Sequence, residues 1–228
     1  MADPDLAASN DAPRLRRDLI ELLVGYVLIL LVLWMPRLWQ RPFYIAAVLW
    51  IVAVTCVSFD GWNALGLRGA NFLRSLWVVG VALVAAALAV ALATRLHTLH
   101  LPDTPLLFLK GFWGYSIWSL VQQFLLQDFF LLRIRRLVPG RLSAVLVTAG
   151  LFALAHLPNP ILTPITFVFG ILACLLFLRY RNIFTLGIAH AVLGVCIAVT
   201  VPGPVIHNMR VGLGYLTYSP HRVHHLNH

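Results

Sequence analysis

Seven long apolar runs constrain this chain more than any other feature of its sequence. A helix needs about 20 apolar residues to cross the hydrocarbon core of a bilayer, and about 17 is the lower limit. Charged residues make up 11% of the chain, against about 25% in a typical soluble domain. The sequence therefore predicts an all-α integral membrane protein, a bundle of about seven to eight transmembrane helices. The runs lie at about residues 18–36, 42–59, 73–95, 107–132, 142–157, 160–178 and 183–201.

The remaining sequence predicts a single membrane domain with polar ends. Residues 1–17 are polar and are expected to form a flexible N-terminal tail, whereas residues 18–201 form the multi-span domain. Residues 202–228 are weakly hydrophobic and rich in histidine. Within them, the Gly-rich stretch 203–220 could form either a weak eighth span or a segment that lies at the membrane interface.

The distribution of basic residues indicates how the chain meets the membrane. The 17 Lys and Arg residues give a net charge of +9, but they lie at the ends of apolar runs and form no basic stripe. We therefore expect the partners to be the lipid bilayer and a hydrophobic or membrane-bound substrate, and no nucleic acid.

The same basic residues indicate the orientation of the chain in the membrane. With a cytoplasmic N-terminus, eleven of the 17 lie on the inner side, which favours that orientation. The absence of a signal-peptide pattern favours the inner or plasma membrane.

Four polar residues interrupt the fourth apolar run: Gln122, Gln123, Gln127 and Asp128. Gln123 and Gln127 are four residues apart, so they share one face of a helix. Polar side chains are costly in lipid and are expected to face the interior of the bundle. A single glutamine would be explained by hydrogen bonding between helices, but the cluster favours a functional site.

Two histidines, His156 and His190, lie at the end of an apolar run and within another. A lone histidine in such a place can be a packing residue with a satisfied hydrogen bond. Two of them, at depths comparable with those of Gln122 and Gln123, favour one shared site. At 1.5 Å of rise per residue the differences in depth amount to about 10 Å, which helix tilt and side-chain length can absorb.

The C-terminal histidines are weak metal candidates. If this segment is helical, His221, His225 and His228 share a face with the spacing of metal ligands. The sequence lacks the full set of histidine boxes that a membrane di-iron enzyme needs. The cofactor therefore stays unknown from the sequence, and none, zinc and iron all remain open.

Several motifs, in order, resemble the CAAX-protease and bacteriocin-processing family of intramembrane peptidases, also called CPBP or Abi. Leu65–Arg68 looks like the family's GLR connection, and Phe152–His156 is similar to its FxxxH motif. The stretch from Phe169 to His190 is similar to the span and turn that lead to its final HxxxN motif. The resemblance covers roughly residues 45–200 and implies a multi-span helical fold.

The resemblance also implies a site, and the chain departs from the family pattern there. The EExxxR motif is replaced by Gln122, Gln123 and Gln127, and the last asparagine by Gly194, while both histidines are kept. In the family a glutamate is thought to activate the water with help from a histidine, and the asparagine to stabilise the oxyanion. Glutamine cannot act as a general base, and glycine has no side chain to donate to an oxyanion.

The residues implied as catalytic are therefore His156, His190, Gln122 and Gln123. Those implied as supporting are Gln127, Asp128 and Gly194. The only carboxylate near the glutamine pair is that of Asp128, which lies about 120° to 140° around an ideal helix from them.

The resemblance implies a CPBP-family intramembrane peptidase-like hydrolase with an altered QQxxxQ site. Its substrate would be a membrane-associated peptide or a prenylated protein terminus, and His156 or His190 would be the general base. One alternative is a non-proteolytic family member that binds or converts a lipid or isoprenoid, or serves as an accessory or immunity factor. Another is a membrane enzyme that uses its histidines to hold iron or zinc.

Overall fold

The computed structural model describes residues 4–58, 61–62, 65–67, 69–102 and 104–219, and this part of the chain is helical without strands. The all-α prediction is thereby confirmed. Its helices are α1 (Pro4–Trp34), α2 (Arg37–Val57), α3 (Phe72–Ser75), α4 (Trp77–Arg95), α5 (Pro105–Phe124), α6 (Leu132–Leu137), α7 (Arg141–Leu154), α8 (Leu162–Tyr180), α9 (Ile183–Thr200), α10 (Gly203–Ile206) and α11 (Gly212–Leu216).

Four of the described helical segments are long and apolar enough to cross a membrane, namely α2, residues 72–95, α8 and α9. Helices α1 and α5, of 31 and 20 residues, and the 14-residue α7 complete the bundle. On α4 the leucines point outward, and Leu83, Leu88 and Leu92 are 53%, 67% and 59% exposed. An apolar outer face is what a helix in contact with lipid requires. The prediction of an integral membrane protein is confirmed.

Four helix pairings organise the bundle. Helix α7 packs along α8, α9 lies between α4 and α5, and α1 packs on α2. Buried ion pairs join α1 to α6: Arg133 bonds Glu21 at 2.9 Å, and the Arg136 guanidinium holds the Asp18 carboxylate with two hydrogen bonds. These pairs allow α1 to carry carboxylates inside the bundle, because each buried charge has a partner.

A seven-residue π-helix, Leu125–Leu131, separates α5 from α6 and is buried from Leu126 onward. A π-helix is rare and often marks a functional site, because it changes the direction in which successive side chains point. Here it contains both Gln127 and Asp128. Two of the four polar residues of the fourth apolar run thus lie where the chain departs from α-helical geometry.

The structure describes a part of each end of the chain. Helix α1 begins at Pro4, so it includes residues 4–17, for which the sequence predicts a flexible tail. The stretch from residue 203 forms α10 and α11, of four and five residues. Both are too short to cross a bilayer, so this stretch forms no eighth span in the described residues.

Candidate functional site

Three helices carry the polar residues of the candidate site into one cavity of about 520 Å³. Gln122 and Gln123 lie near the end of α5, His156 follows α7, and His190 lies in the middle of α9. Gln122, His156 and His190 line the cavity. Gln123 is fully buried directly behind it. The structure therefore brings together the two histidines and the glutamine pair that the sequence singles out.

A chain of side-chain hydrogen bonds connects the π-helix to α9. The amide nitrogen Nε2 of Gln127 donates to Oε1 of Gln123 at 3.3 Å. Nε2 of Gln123 lies 3.1 Å from Nδ1 of His190. Gln127 and Gln123 are both fully buried, and His190 is 7% exposed. The two glutamines therefore hold the His190 ring from behind, and Gln127 supports Gln123 as the i, i+4 spacing predicts.

His156 is held by the backbone of helix α7, which ends just before it. Its Nδ1 lies 2.7 Å from the carbonyl oxygen of Phe152. The Phe152 ring makes edge contacts with both histidine rings, with centroid distances of 4.8 Å to His156 and 6.1 Å to His190. The phenylalanine and the histidine of the FxxxH motif thus have different roles in this structure. The histidine faces the cavity, while the phenylalanine packs against both imidazoles.

Gly194 lies on α9 one turn after His190, and a tyrosine fills the space beside it. A Cβ atom at residue 194 would collide with the hydroxyl and ring of Tyr115. Tyr115 lines the cavity, and its ring packs edge-on to His190 at 6.3 Å. Sequence reasoning missed Tyr115. The available signal was its position seven residues before Gln122, which places both on one face of α5.

Asp128 faces a different part of the protein. Its side chain lines a second, small cavity of about 20 Å³ together with Thr55, Ser58 and Arg133. Among the described residues, neither carboxylate oxygen of Asp128 has a hydrogen-bond partner, and the hydroxyls of Thr55 and Ser58 also have none. Asp128 does not line the cavity that contains the histidines. Its predicted supporting part in the site stays a prediction.

A third cavity, of about 310 Å³ and mainly apolar, lies between α1, α2, α5 and α7. Ala47 and Ile51 of α2 and Phe130 of the π-helix are among its walls. Gln122 and His156 line both this apolar cavity and the histidine-bearing one. The two cavities thus meet at the candidate catalytic side chains.

The metal predictions concern residues that the structure does not describe. His221, His225 and His228 lie outside the described residues. Within the described part of the chain, no group of three or more His, Cys, Asp or Glu side chains is placed to hold a metal ion. The weak metal candidates of the C-terminal segment stay a prediction.

A bundle of helices with apolar outer faces and a polar, histidine-bearing cavity, seen in the described part of the chain, defines an integral membrane protein. Residues 104–196 match the family model described as type II CAAX prenyl endopeptidase Rce1-like. This match supports membership of the CPBP family, the one that the sequence motifs resemble, and the chain is a CAAX protease-like membrane protein. No curated protein and no solved structure matches the chain.

The matched residues run from the start of α5 into α9. They include Tyr115, Gln122, His156, His190 and Gly194, which line the cavity that contains the histidines. The matched family is one of proteases.

Proposed function

We propose that this protein is an intramembrane peptidase that hydrolyses a peptide bond without the family's glutamate pair. The observation that carries the proposal is that His156, His190 and Gln122 share one cavity, which meets an apolar cavity at His156 and Gln122. A buried polar site beside an apolar cavity is suited to an amphiphilic substrate. The apolar part binds among α1, α2, α5 and α7 while the scissile bond lies near the histidines.

His156 is the general base in this proposal. Its Nδ1 is engaged by the Phe152 carbonyl, so Nε2 is the ring nitrogen left for the cavity. Nε2 accepts a proton from water, and the resulting hydroxide adds to the carbonyl carbon of the peptide. The same proton then passes to the leaving nitrogen as the carbon–nitrogen bond breaks, which yields a carboxylic acid and an amine. A neutral imidazole has a lone pair that can accept a proton, which is the property that a general base requires.

The two cavities support a substrate class for the proposed peptidase. We propose a membrane-associated peptide or a prenylated protein terminus in the inner or plasma membrane. Exposed His100 and Asn208 lie on the lining of the polar cavity, at the end of the bundle opposite the Arg133–Arg141 cluster. Basic residues favour the cytoplasmic side. With the proposed cytoplasmic N-terminus, the substrate therefore approaches the cavity from the non-cytoplasmic side.

The chemistry of the cavity wall also supports a second candidate function. Among the described residues, no carboxylate and no Lys or Arg side chain lines the polar cavity. A neutral wall of this kind suits a non-proteolytic family member that binds or converts a lipid or isoprenoid, or an accessory or immunity factor that uses the cavity to hold a ligand.

Labelling of new protein N-termini in cells tests the proposal. Membranes from cells that express the wild type are compared with those that express His156→Gln, and His97→Gln is the matched control because His97 is exposed and outside the cavity. All three proteins must be present at equal levels. We expect specific termini in the wild type and the control that are absent in His156→Gln.

Identical termini in all three samples would refute proteolysis. Mass spectrometry of lipids that co-purify with the wild type and with His156→Gln then tests the binding alternative. A lipid held by the wild type and lost in the variant would support it.

A further inference from the structure

The two cavity histidines differ in which nitrogen carries the proton, because each ring is held by a different kind of partner. We propose that His190 presents an N–H donor to the cavity and His156 an acceptor, that Gln123 fixes this difference, and that the site takes an uncharged carbonyl group such as an amide or ester. The proposal deepens the proposed function by naming the chemistry of the bound group. The assignment of the two protons does not depend on proteolysis.

The assignment for His156 follows from its backbone partner. A carbonyl oxygen can only accept a hydrogen bond. Nδ1 of His156 lies 2.7 Å from the Phe152 carbonyl oxygen, so the proton of the neutral ring is on Nδ1. The other nitrogen, Nε2, then carries the lone pair, and His156 faces the cavity as an acceptor.

The assignment for His190 follows from the amide chain behind it. Oε1 of Gln123 accepts a hydrogen bond from Nε2 of Gln127 at 3.3 Å. The NH₂ group of Gln123 is therefore directed at His190 Nδ1, at 3.1 Å, and an amide nitrogen can only donate. Nδ1 must then be the acceptor, which places the proton of the neutral ring on Nε2. His190 faces the cavity as a donor.

The surroundings favour uncharged rings. His190 packs against Phe152, Phe169 and Tyr115, with centroid distances of 6.1, 5.0 and 6.3 Å. An imidazolium in such a place would lose its hydration without gaining a counter-charge. Among the described residues, no carboxylate lines the cavity. Before any reaction, each ring therefore has one donor and one acceptor nitrogen, and the two rings present opposite ones to the cavity.

This pairing defines what the site binds. The Nε2–H of His190 donates to a carbonyl oxygen, and Nε2 of His156 accepts from a water or from an N–H group of the ligand. A carboxylate ligand would be buried without a cation, and an ammonium without an anion, and both are costly. In hydrolysis, the His190 donor stabilises the oxygen on which negative charge develops. Gln123 acts through His190 and is a positioning residue.

A glutamate at residue 123 would reverse His190. A carboxylate only accepts hydrogen bonds, so it would draw the proton to Nδ1 and leave the lone pair on Nε2. Both histidines would then face the cavity as acceptors. The glutamine at residue 123 is thus what gives the cavity a donor on the α9 side.

Histidine side-chain NMR on the full chain in lipid nanodiscs tests the assignment. The protein is labelled with nitrogen-15 and carbon-13 histidine and carries no histidine tag, and the His156→Gln and His190→Gln spectra assign the two signals. We expect the Nδ1–H form for His156 and the Nε2–H form for His190. Gln123→Glu should move His190 to the Nδ1–H form or to the doubly protonated form.

Gln40→Glu is the charge control, since it introduces the same carboxylate on α2, at a side chain that does not line the cavity of His190. It should leave the His190 form unchanged. An Nδ1–H His190 in the wild type would overturn the proposal, as would a His190 signal that Gln123→Glu leaves in place. The wild-type spectrum alone decides the assignment if Gln123→Glu fails to fold.

The ligand class is tested on the same sample with oleamide and oleate, which share one chain and differ in the charge of the head group. We expect oleamide to shift the His190 signal and oleate to shift it at least about tenfold less at equal membrane concentration. Equal shifts by both would refute a site for uncharged carbonyl groups. Neither result depends on peptide cleavage, so failure of this proposal and failure of the proposed function are distinguishable.

Discussion

Gly194 lies directly against Tyr115, so that the tyrosine hydroxyl and ring occupy the space which a Cβ atom at residue 194 would need. The contact joins α9 to α5 beside His190, and the Tyr115 ring packs edge-on to that histidine. A side chain at 194 and the observed position of Tyr115 exclude each other. The position of Tyr115 therefore gives a steric explanation for the glycine at residue 194.

Gly194→Ala should displace Tyr115 and destabilise the protein by about 1–3 kcal/mol, the usual cost of overpacking. The measurement is the free energy of unfolding in mixed detergent micelles titrated with a denaturing detergent. Gly114→Ala is the control, because that glycine lies in the same helix as Tyr115 and has nothing within 4 Å of its Cβ position. The control should be unchanged or slightly stabilised. Equal losses in both variants would contradict the steric explanation.

Breaking the buried ion pair between α1 and α6 should cost about 3–5 kcal/mol, because it leaves one charge without its partner. Glu21→Met removes the carboxylate that bonds Arg133, whose side chain is 4% exposed. Arg17→Met removes the other cation near Glu21, but that side chain is 49% exposed, and the expected loss is at most about 1 kcal/mol.

The double variant Glu21→Met with Arg133→Met should be more stable than Glu21→Met alone, since no unpaired charge is left. The measurement is again the free energy of unfolding in mixed micelles. A double variant as unstable as the sum of the two single ones would show that the pair is not coupled.

Asn159 should hold the segment 203–211 over the polar cavity. Its Nδ2 donates to the carbonyl oxygens of Ile206 and Arg210 at 2.9 and 3.1 Å, and its Oδ1 accepts from the backbone at the start of α8. Asn159→Asp keeps the acceptor and removes both donations. We expect faster amide hydrogen exchange in residues 203–211, measured by mass spectrometry.

The control for this exchange experiment is Asn182→Asp at the start of α9. Asn182 is also a buried asparagine whose Oδ1 accepts from a helix N-terminus, at 3.1 Å from the Thr185 nitrogen. It should leave the exchange of residues 203–211 unchanged. If amide exchange in residues 203–211 is as slow in Asn159→Asp as in the wild type, then the two hydrogen bonds donated by Asn159 do not hold the segment in place.

Filling the apolar cavity should weaken binding of a long-chain amide. Ala47 is 6% exposed and lines this cavity. Ala47→Phe should therefore reduce the affinity for oleamide about tenfold, which corresponds to about 1.4 kcal/mol, and should affect a short-chain amide much less. Ala46→Phe is the control, because Ala46 is exposed and lines none of the described cavities. Titration of each variant in nanodiscs gives the affinities. Equal effects of both substitutions would show that the acyl chain of oleamide binds outside this cavity.

Local rules recover much of the fold. The apolar runs predict the long helices, and the i, i+4 spacing of Gln123 and Gln127 predicts the hydrogen bond between them. The motif resemblance, which the family match confirms, points to the two histidines together, and both line one cavity. These predictions succeed because lipid forces each spanning segment to satisfy its own backbone and forces polar side chains toward the interior.

The ion pairs of α1 could not be predicted in the same way. Asp18 and Glu21 are 118 and 112 residues from their arginine partners. No local pattern carries that information. The sequence pattern also did not predict the π-helix. Because Asp128 lies in this π-helix, the angle calculated for an ideal α-helix does not describe the direction of its side chain.

The sequence by itself determined the class of protein, the long helices, and the two histidines and glutamine pair as candidates for one site. It did so because hydrophobicity and spacing along a helix are local quantities. Only the tertiary structure decided that Gln123 bonds His190, that Tyr115 fills the space at Gly194, and that a polar and an apolar cavity meet at His156. Those relationships depend on which faces of α5, α7 and α9 pack together, and packing between helices is set by the whole bundle.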